Sequence, residues 1–319
     1  MRILVTGGAG FIGNALTLRL IHEGHEVVVV DEVNEYYDRS LKEARLARLP
    51  SSVSVHRFDI AHAEQLAALF ASDGPFDCVA HLAAQAGVRY SIENPFVYAD
   101  SNYRGTLNIF EVAKRHGTTH IVYASSSSVY GRCAEVPFRE DMRVDEPVSI
   151  YAASKRACEL LAYAYHDLFG MDITALRFFT VYGPWARPDM APFKFTKAII
   201  AGEPIELYNR GDMLRDFTYV DDIVDGFYRA VQQRQAGFSI FNLGNGAPVQ
   251  LREFVATLEG VIGTPARIIE KPMQPGDVPR TYADITKART LLGFEPKTSV
   301  HDGLRELVHW YRAYTAPQV

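Results

Sequence analysis

Short runs of β-branched and apolar residues alternate with stretches of helical period through the first half of the chain. Ile3–Thr6, Val27–Val30, Val53–Phe58, Cys78–Leu82, Ile121–Ala124 and Ile173–Arg177 read as strands. Between them, Phe11–His22, Ala63–Ala71, Arg104–His116 and Tyr151–Phe169 carry apolar residues at helical spacing. The strand runs are continuously apolar rather than alternating, as in strands covered on both faces. Strand–helix–strand repetition of this kind predicts an α/β fold built on a doubly wound parallel sheet.

The rhythm changes after Thr180. Pro184, Pro188 and Pro192 punctuate a loop, and a helix is predicted over Phe193–Ala201. Asn209-Arg210-Gly211-Asp212 reads as a turn between strands, and helices are expected over Asp222–Gln232, Arg252–Val261 and His301–Tyr311. The pattern therefore divides at about residue 180. Residues 1–180 form the sheet domain and 181–319 a smaller, mixed α/β lobe, with some segments returning to the sheet.

Composition narrows the function. The chain has 319 residues, 48% of them hydrophobic and 22% charged, which is enough apolar material for a sizeable core. A formal net charge of −5 speaks against a nucleic-acid partner, which calls for a basic face. Cys78, Cys133 and Cys158 are too few and too irregularly spaced for a disulfide framework or a zinc site, so no metal is expected. The first apolar run meets Gly7 and Gly8 at once, unlike a signal peptide, and no stretch reaches 18 apolar residues. A cytoplasmic protein with no membrane span is the expectation.

The chemistry begins at Gly7-Gly8-Ala9-Gly10-Phe11-Ile12-Gly13, between the first strand and the first helix. Gly7 permits the turn, Gly10 lets backbone approach a pyrophosphate at the helix N-terminus, and Gly13 allows close helix–sheet packing. Asp31 ends the second strand 18 residues after Gly13. A carboxylate there suits a ribose 2′-hydroxyl and repels a 2′-phosphate, which favours NAD over NADP. Asp59, after the third strand, is read as an acceptor for an adenine amino group or, equally, as a plain N-cap. Leu82, Ala83 and Ala84 put small residues where a cofactor lies close to backbone, or where helices pack.

Tyr151 and Lys155 stand four apart at the start of a helix and so share one face. An ammonium near a phenol favours the phenolate, which makes a general base for a sugar hydroxyl. Ser125-Ser126-Ser127-Ser128 end the fifth strand, on the side of the sheet that faces the ligand crevice. A hydroxyl there relays a proton to Tyr151; the alternative is a polar loop.

Together with Val129-Tyr130-Gly131, Arg215-Asp216-Phe217 and Asp221-Asp222, these motifs resemble the extended short-chain dehydrogenase/reductase family of sugar-nucleotide epimerases and dehydratases. The resemblance spans essentially the whole chain. It implies an NAD-binding Rossmann domain over 1–180, a lobe over 181–319 that binds a UDP- or dTDP-sugar, and a homodimer formed through two helices per subunit. It places Ser126, Tyr151 and Lys155 on the catalytic triad. It also implies that Phe11, Ile12, Asn34, Ile60, Gln85 and Val181 line the cofactor cleft, with Asn102 and Phe178 on cofactor and substrate.

Departures from the family pattern narrow the reaction. Dehydratases of the family carry an Asp–Glu pair where this chain has Ser127-Ser128, and UDP-glucuronate decarboxylases keep a Glu at position 128. Two serines supply neither the base nor the acid of an elimination. Epimerisation at C4 is left. The segment Thr180–Met190 resembles that of the UDP-glucuronate 4-epimerases, except that Ala186 stands where many have glycine. Arg187 then clamps a uronate carboxylate, helped by Ser127, Ser128 and Thr180, with Met190 nearby; the alternative for Arg187 is an ion pair with Asp189. The resemblance puts Arg215 on the pyrophosphate, Asp277 on the nucleotide ribose and Phe193 near uracil, although each also suits ordinary loop structure. Arg89 lies near the cleft with no partner assigned. The expected activity is conversion of UDP-glucuronate to UDP-galacturonate through a 4-keto sugar. The alternatives are a UDP-glucose 4-epimerase, a UDP-glucuronate decarboxylase, or a family member that binds NAD as a regulator or scaffold.

Overall fold

The computed structural model describes residues 1–274 and 277–316. Six strands of the first half form the body of one parallel sheet: β1 (Arg2–Thr6), β2 (Glu26–Val30), β3 (Ser54–His56), β4 (Cys78–His81), β5 (His120–Ser126) and β6 (Asp172–Phe178). Their spatial order is 3-2-1-4-5-6, and the strand Phe238–Leu243 adds a seventh member beside β6. The order of strand addition reverses between β1 and β4, which opens a crevice at the carboxyl ends of those strands.

Two-sided burial explains the continuous apolar runs. Ile3 and Val5 of β1 join the hydrophobic cluster on one face of the sheet, and Leu4 joins the cluster on the other. Val27 and Val29 of β2 likewise part from Val28 and Val30. Successive side chains point to opposite faces, so every position must be apolar. β3 is shorter than the predicted 53–58 because it lies at the sheet edge and pairs only with β2.

Helices α1 (Phe11–His22), α2 (Arg39–Leu46), α3 (Ala63–Asp73), α4 (Tyr90–Glu93), α5 (Gly105–Arg115) and α6 (Ile150–Phe169) connect the strands. The hydrophobic pattern did not predict α2, because its inward face consists of Leu41, Lys42, Arg45 and Leu46. Half of that face is charged. The helix predicted from Arg104 starts earlier: Tyr98–Arg104 forms a wide helical turn that runs straight into α5. At α6, the Ser149 hydroxyl caps the Ala152 N–H at 3.0 Å, and Gly170 ends the helix in a left-handed conformation.

Beyond Thr180, short strands pair locally: Thr180–Tyr182 with Phe217–Tyr219, and Pro204–Tyr208 with Arg267–Lys271. Helices Ala191–Ile200, Val220–Gln232, Leu251–Ile262 and Val300–Thr315 pack around them. The predicted turn at 209–212 is a single tight helical turn, Asn209–Gly211, with Asn209 and Arg210 at positive φ.

His81 holds the carboxyl edge of the sheet together. The Thr6 hydroxyl accepts the Leu82 and Ala83 N–H groups (3.2 and 3.1 Å), which leaves its proton for His81 Nδ1 at 2.7 Å. His81 Nε2 lies 3.0 Å from the Thr106 hydroxyl of α5. Burial, aided by the Lys155 charge, pushes His81 down to about 3. Folded His81 thus stays neutral at pH values where the unfolded side chain, near 6.5, takes up a proton. The unfolded chain binds more protons below 6.5, so this contribution to stability falls as pH falls. Urea unfolding should show wild type losing roughly 2–3 kcal/mol more than His81→Gln between pH 7 and 4.5. Parallel pH dependences in the two proteins would refute the assignment.

Candidate active site

A cavity of about 460 Å³ opens at the carboxyl ends of β1, β4, β5 and β6. Its floor is the glycine turn. Gly7 sits at φ +77, and a Cβ there would come within 2.7 Å of the Ala83 N atom. A Cβ on Gly13 would collide with the Gly7 carbonyl oxygen. Gly10 caps α1 without offering a side-chain acceptor, so the first N–H groups of the helix, at Phe11, Ile12 and Gly13, have no side-chain cap. All three residues line the cavity, which makes this end of α1 a fitting seat for a pyrophosphate.

Asp31 follows β2. Its carboxylate accepts N–H groups from Ala9 (3.0 Å) and Val33 (2.8 Å), and it still has lone pairs for a ligand hydroxyl. Burial nevertheless raises its pKa, against those bonds and the nearby Lys42. Asn34 lines the cavity and takes Lys42 Nζ on both its backbone and side-chain oxygens, at 2.8 and 2.6 Å. Asp59 also lines it and accepts the Ala61 N–H at 2.9 Å in the turn before α3; it is not the N-cap of that helix, whose cap position is His62. Ile60, Leu82, Ala83, Ala84, Gln85, Phe178 and Val181 complete this wall.

Ser126 ends β5, and its hydroxyl accepts from the Ser128 N–H (3.2 Å) and the Ser128 hydroxyl (2.9 Å). Tyr151 and Lys155 come from the first two turns of α6 and line the cavity with Ser126, Ser127 and Ser128. Lys155 Nζ donates to the Ala124 carbonyl at 2.9 Å, and the Tyr151 ring meets Tyr98 edge-on at 6.1 Å. The predicted triad is therefore gathered at one mouth.

Two predicted contacts lie elsewhere. Asn102 is buried behind the wall: its side chain pairs with both backbone polar groups of Gln85 (2.8 and 3.1 Å) and donates to the Ser154 hydroxyl at 2.9 Å. Ser154 in turn donates to the Tyr151 carbonyl at 2.8 Å, so Asn102 holds the wall against α6 rather than lining it. Phe193 is not among the cavity residues. It packs on Trp310 and Tyr311 of the last helix at 6.0 and 5.5 Å, because its place in Ala191–Ile200 turns it toward that apolar surface.

Thr180, Arg187, Met190, Arg215 and Asp277 line the opposite side. The Arg187 guanidinium pairs with Asp189 through Nε and Nη2, both at 3.2 Å, and the Tyr36 hydroxyl donates to the same carboxylate at 3.1 Å. Burial works against the Arg187 charge, but Asp189, Tyr36 and Tyr151 outweigh it and hold its pKa above the ordinary value. Arg187 thus faces the cavity while keeping its ion pair. Arg215 Nη1 donates to the Leu214 and Pro279 carbonyls at 3.0 and 3.1 Å. Arg89 finds its partners across the cleft, with Nη2 3.4 Å from Asp277 and its guanidinium over the Tyr208 ring at 4.8 Å.

The residue that sequence reasoning missed is Arg45, which is fully buried on α2. Its Nη1 donates to the Ala9 carbonyl of the glycine turn (3.1 Å) and to the Tyr37 hydroxyl (2.6 Å). Its Nε and Nη2 donate to the Trp185 carbonyl at 3.1 and 2.7 Å. One guanidinium thereby joins the glycine turn to the loop that carries Arg187. An arginine in a charged helix gives no sign of this in the sequence.

Residues 3–244 match the family described as the NAD dependent epimerase/dehydratase family. Over 98% of its length the chain is 46% identical to a probable UDP-glucuronate 4-epimerase of Rhizobium meliloti, covering 97% of that protein. A crystal structure of the UDP-glucuronic acid 4-epimerase of Bacillus cereus, in complex with UDP-glucuronic acid and NAD, superposes with a TM-score of 0.92 at 33% identity, covering 98% of this chain and 100% of that one. The UDP-glucose 4-epimerase of Thermotoga maritima, solved with UDP-glucose, gives 0.91 at 31% identity over 98% of this chain and 99% of that one.

Replacing Arg45 with Leu leaves the Ala9 and Trp185 carbonyls buried without donors. Urea unfolding should show a loss of about 3 kcal/mol. Arg45→Lys should recover little of it, because an ammonium lacks the fork that spans two loops. Full recovery by lysine would contradict the bridging role.

Proposed function

The chain belongs to the NAD-dependent epimerase/dehydratase family, and on that premise we propose that it converts UDP-glucuronate to UDP-galacturonate by epimerisation at C4. The observation that carries this reading is the pairing of a Ser126–Tyr151–Lys155 mouth with a half-buried guanidinium, Arg187, lining the same cavity. A neutral sugar needs no such charge. The likeness in fold to UDP-glucuronate and UDP-glucose epimerases is nearly equal, so the side chains decide.

The glycine turn and the open N-terminus of α1 fit the pyrophosphate of NAD, and Asp31 fits a ribose hydroxyl. Bound NAD supplies a hydride acceptor and, on the return, a hydride donor. Tyr151 takes the proton of the C4 hydroxyl as the C4–H bond breaks, and Ser126 relays it. Lys155 spends one of its three N–H donors on the Ala124 carbonyl, which leaves two for the site. The planar 4-keto sugar turns about its link to the pyrophosphate, and Tyr151 returns the proton once hydride has come back on the other face. Arg215 and Asp277 hold the nucleotide end; residues 1–180 serve the cofactor and 181–319 the sugar nucleotide.

The 4-keto uronate is a β-keto acid. It loses carbon dioxide most readily when its carboxylate stands perpendicular to the carbonyl plane. Arg187, Ser127, Ser128 and Thr180 suppress that loss by holding the carboxylate. Incubation with UDP-glucuronate and no added cofactor should yield the galacto isomer, and Tyr151→Phe should cut turnover by roughly 10² to 10⁴-fold. Arg187→Ala should weaken turnover of UDP-glucuronate or release a pentose product. An Arg187→Ala enzyme with unchanged turnover and no pentose would remove the uronate reading.

The molecule acts as a cytoplasmic homodimer in this reading. Leu160, Tyr163 and Leu168 make an exposed apolar stripe on α6, and Phe96 and Tyr103 are exposed just before α5. A second copy covers these helices. No helix among the described residues is long and apolar enough to cross a membrane. Sedimentation should give a dimer for wild type and a monomer for Leu160→Asp/Tyr163→Asp; a monomeric wild type would refute this.

A further inference from the structure

Glu159 lies on α6 one turn beyond Lys155 and two turns beyond Tyr151, fully buried. Its Oε1 accepts the Ser125 hydroxyl at 2.7 Å and Arg177 Nε at 2.8 Å. Oε2 accepts Arg177 Nη2 at 2.9 Å and Arg156 Nη1 at 3.2 Å. Ser125 and Arg177 are direct register partners across β5 and β6. The neighbouring grip is made by Lys155, whose Nζ reaches the carbonyl of Ala124 on the same strand. Helix α6 therefore holds β5 at two successive residues, and Ser126 is the next one along. On the far side, the Arg177 guanidinium lies 4.8 Å over the ring of Tyr130, which lines the cavity and donates to Asn242 at 2.7 Å.

A buried ion pair is a poor device for stability, since apolar residues of similar volume do as well or better. Apolar residues have no directional bonds with which to set a helix against a strand end. We propose that Glu159 is a positioning residue: by gripping Ser125 and Arg177 together, it fixes how the strand end bearing Ser126 sits against the helix bearing Tyr151 and Lys155. The proposal rests on the epimerase reading above, and it adds a residue outside the cavity to the machinery.

The test compares Glu159→Met, Arg177→Met and the double variant, each as the holoenzyme. Either single variant strands a buried charge or its partners and should lower the Tm. The double variant removes both charges and should recover most of the Tm. Its kcat for UDP-glucuronate should nonetheless stay about 10²-fold below wild type, the scale of a small misplacement of reacting groups. KM should move by no more than about twofold. Amide exchange at Ala124–Ser128 and Tyr151–Lys155 should be at least about tenfold faster than in wild type. If the double variant is too unstable to assay, Ser125→Ala serves, because it removes only the strand-side bond; its kcat should fall roughly tenfold with little change in Tm. A double variant, or a Ser125→Ala protein, with wild-type kcat and wild-type exchange overturns the proposal. Failure of wild type to turn over UDP-glucuronate would sink the epimerase reading alone, and the exchange measurement, which needs no substrate, would still decide on Glu159.

Discussion

The burial of Arg45 constrains the whole cleft. A positive charge sits out of contact with solvent, and among the described residues its hydrogen bonds go to carbonyls and the Tyr37 hydroxyl rather than to a carboxylate. Its desolvation is offset chiefly by hydrogen bonds, with the Tyr37 ring and the nearby Asp31 carboxylate in support, so the carbonyls of Ala9, Trp185 and Ala186 converge on it. That convergence fixes the glycine turn and the Arg187 loop relative to one another before any ligand arrives. The left-handed backbone at Trp185, unusual for a bulky residue, is held there by the same bonds. The glycine turn and the loop that carries Arg187 are thus parts of one rigid assembly.

How far this was legible depends on whether the deciding physics is local. The strands could be read because each is covered on both faces, which leaves continuous runs such as Val27–Val30 in the sequence. The glycine turn and the Tyr151–Lys155 pair were equally plain, since both are set by spacing within a single turn. Helix α2 was hidden because its buried face is half charged, and no periodicity of apolar residues announces a buried Lys42 or Arg45. Asn102 was placed near the right wall but on the wrong side of it, because its direction depends on the wide turn Tyr98–Arg104. Phe193 failed for the same kind of reason: an aromatic residue carries no record of which apolar surface it meets.

Arg187 shows two readings of one residue that turn out to be compatible. The ion pair with Asp189 looked like an alternative to a place in the cavity, yet the paired guanidinium still lines it. Asp189 is itself held by the Tyr36 hydroxyl, and Tyr36 belongs to the segment that follows Asp31. The Arg187–Asp189 pair is therefore anchored in the segment that follows Asp31. Tyr36 packs at a tilt on Tyr90 at 4.9 Å, Tyr90 on Tyr98 at 6.4 Å, and Tyr98 meets Tyr151 edge-on at 6.1 Å. A line of aromatic rings runs from the partner of Arg187 to Tyr151, and it gives the two sides of the cavity a common rigid support.

That arrangement bears on how the proposed acid-selective site can share its fold with neutral-sugar epimerases. Selectivity is a difference between two affinities, and an unpaired buried guanidinium would penalise a neutral sugar heavily while gripping an acid too tightly for turnover. Asp189 moderates both effects. With its counter-ion in place, the guanidinium is not stranded when a neutral group enters, and an arriving carboxylate gains only a share of the charge. An epimerase must also let the keto sugar turn over between its two half-reactions, which an unrelieved ion pair would resist. In the proposed function, a clamp already half satisfied holds the acid group against decarboxylation and still releases the ring to rotate, so that the ion pair with Asp189 sets the balance between retention and motion.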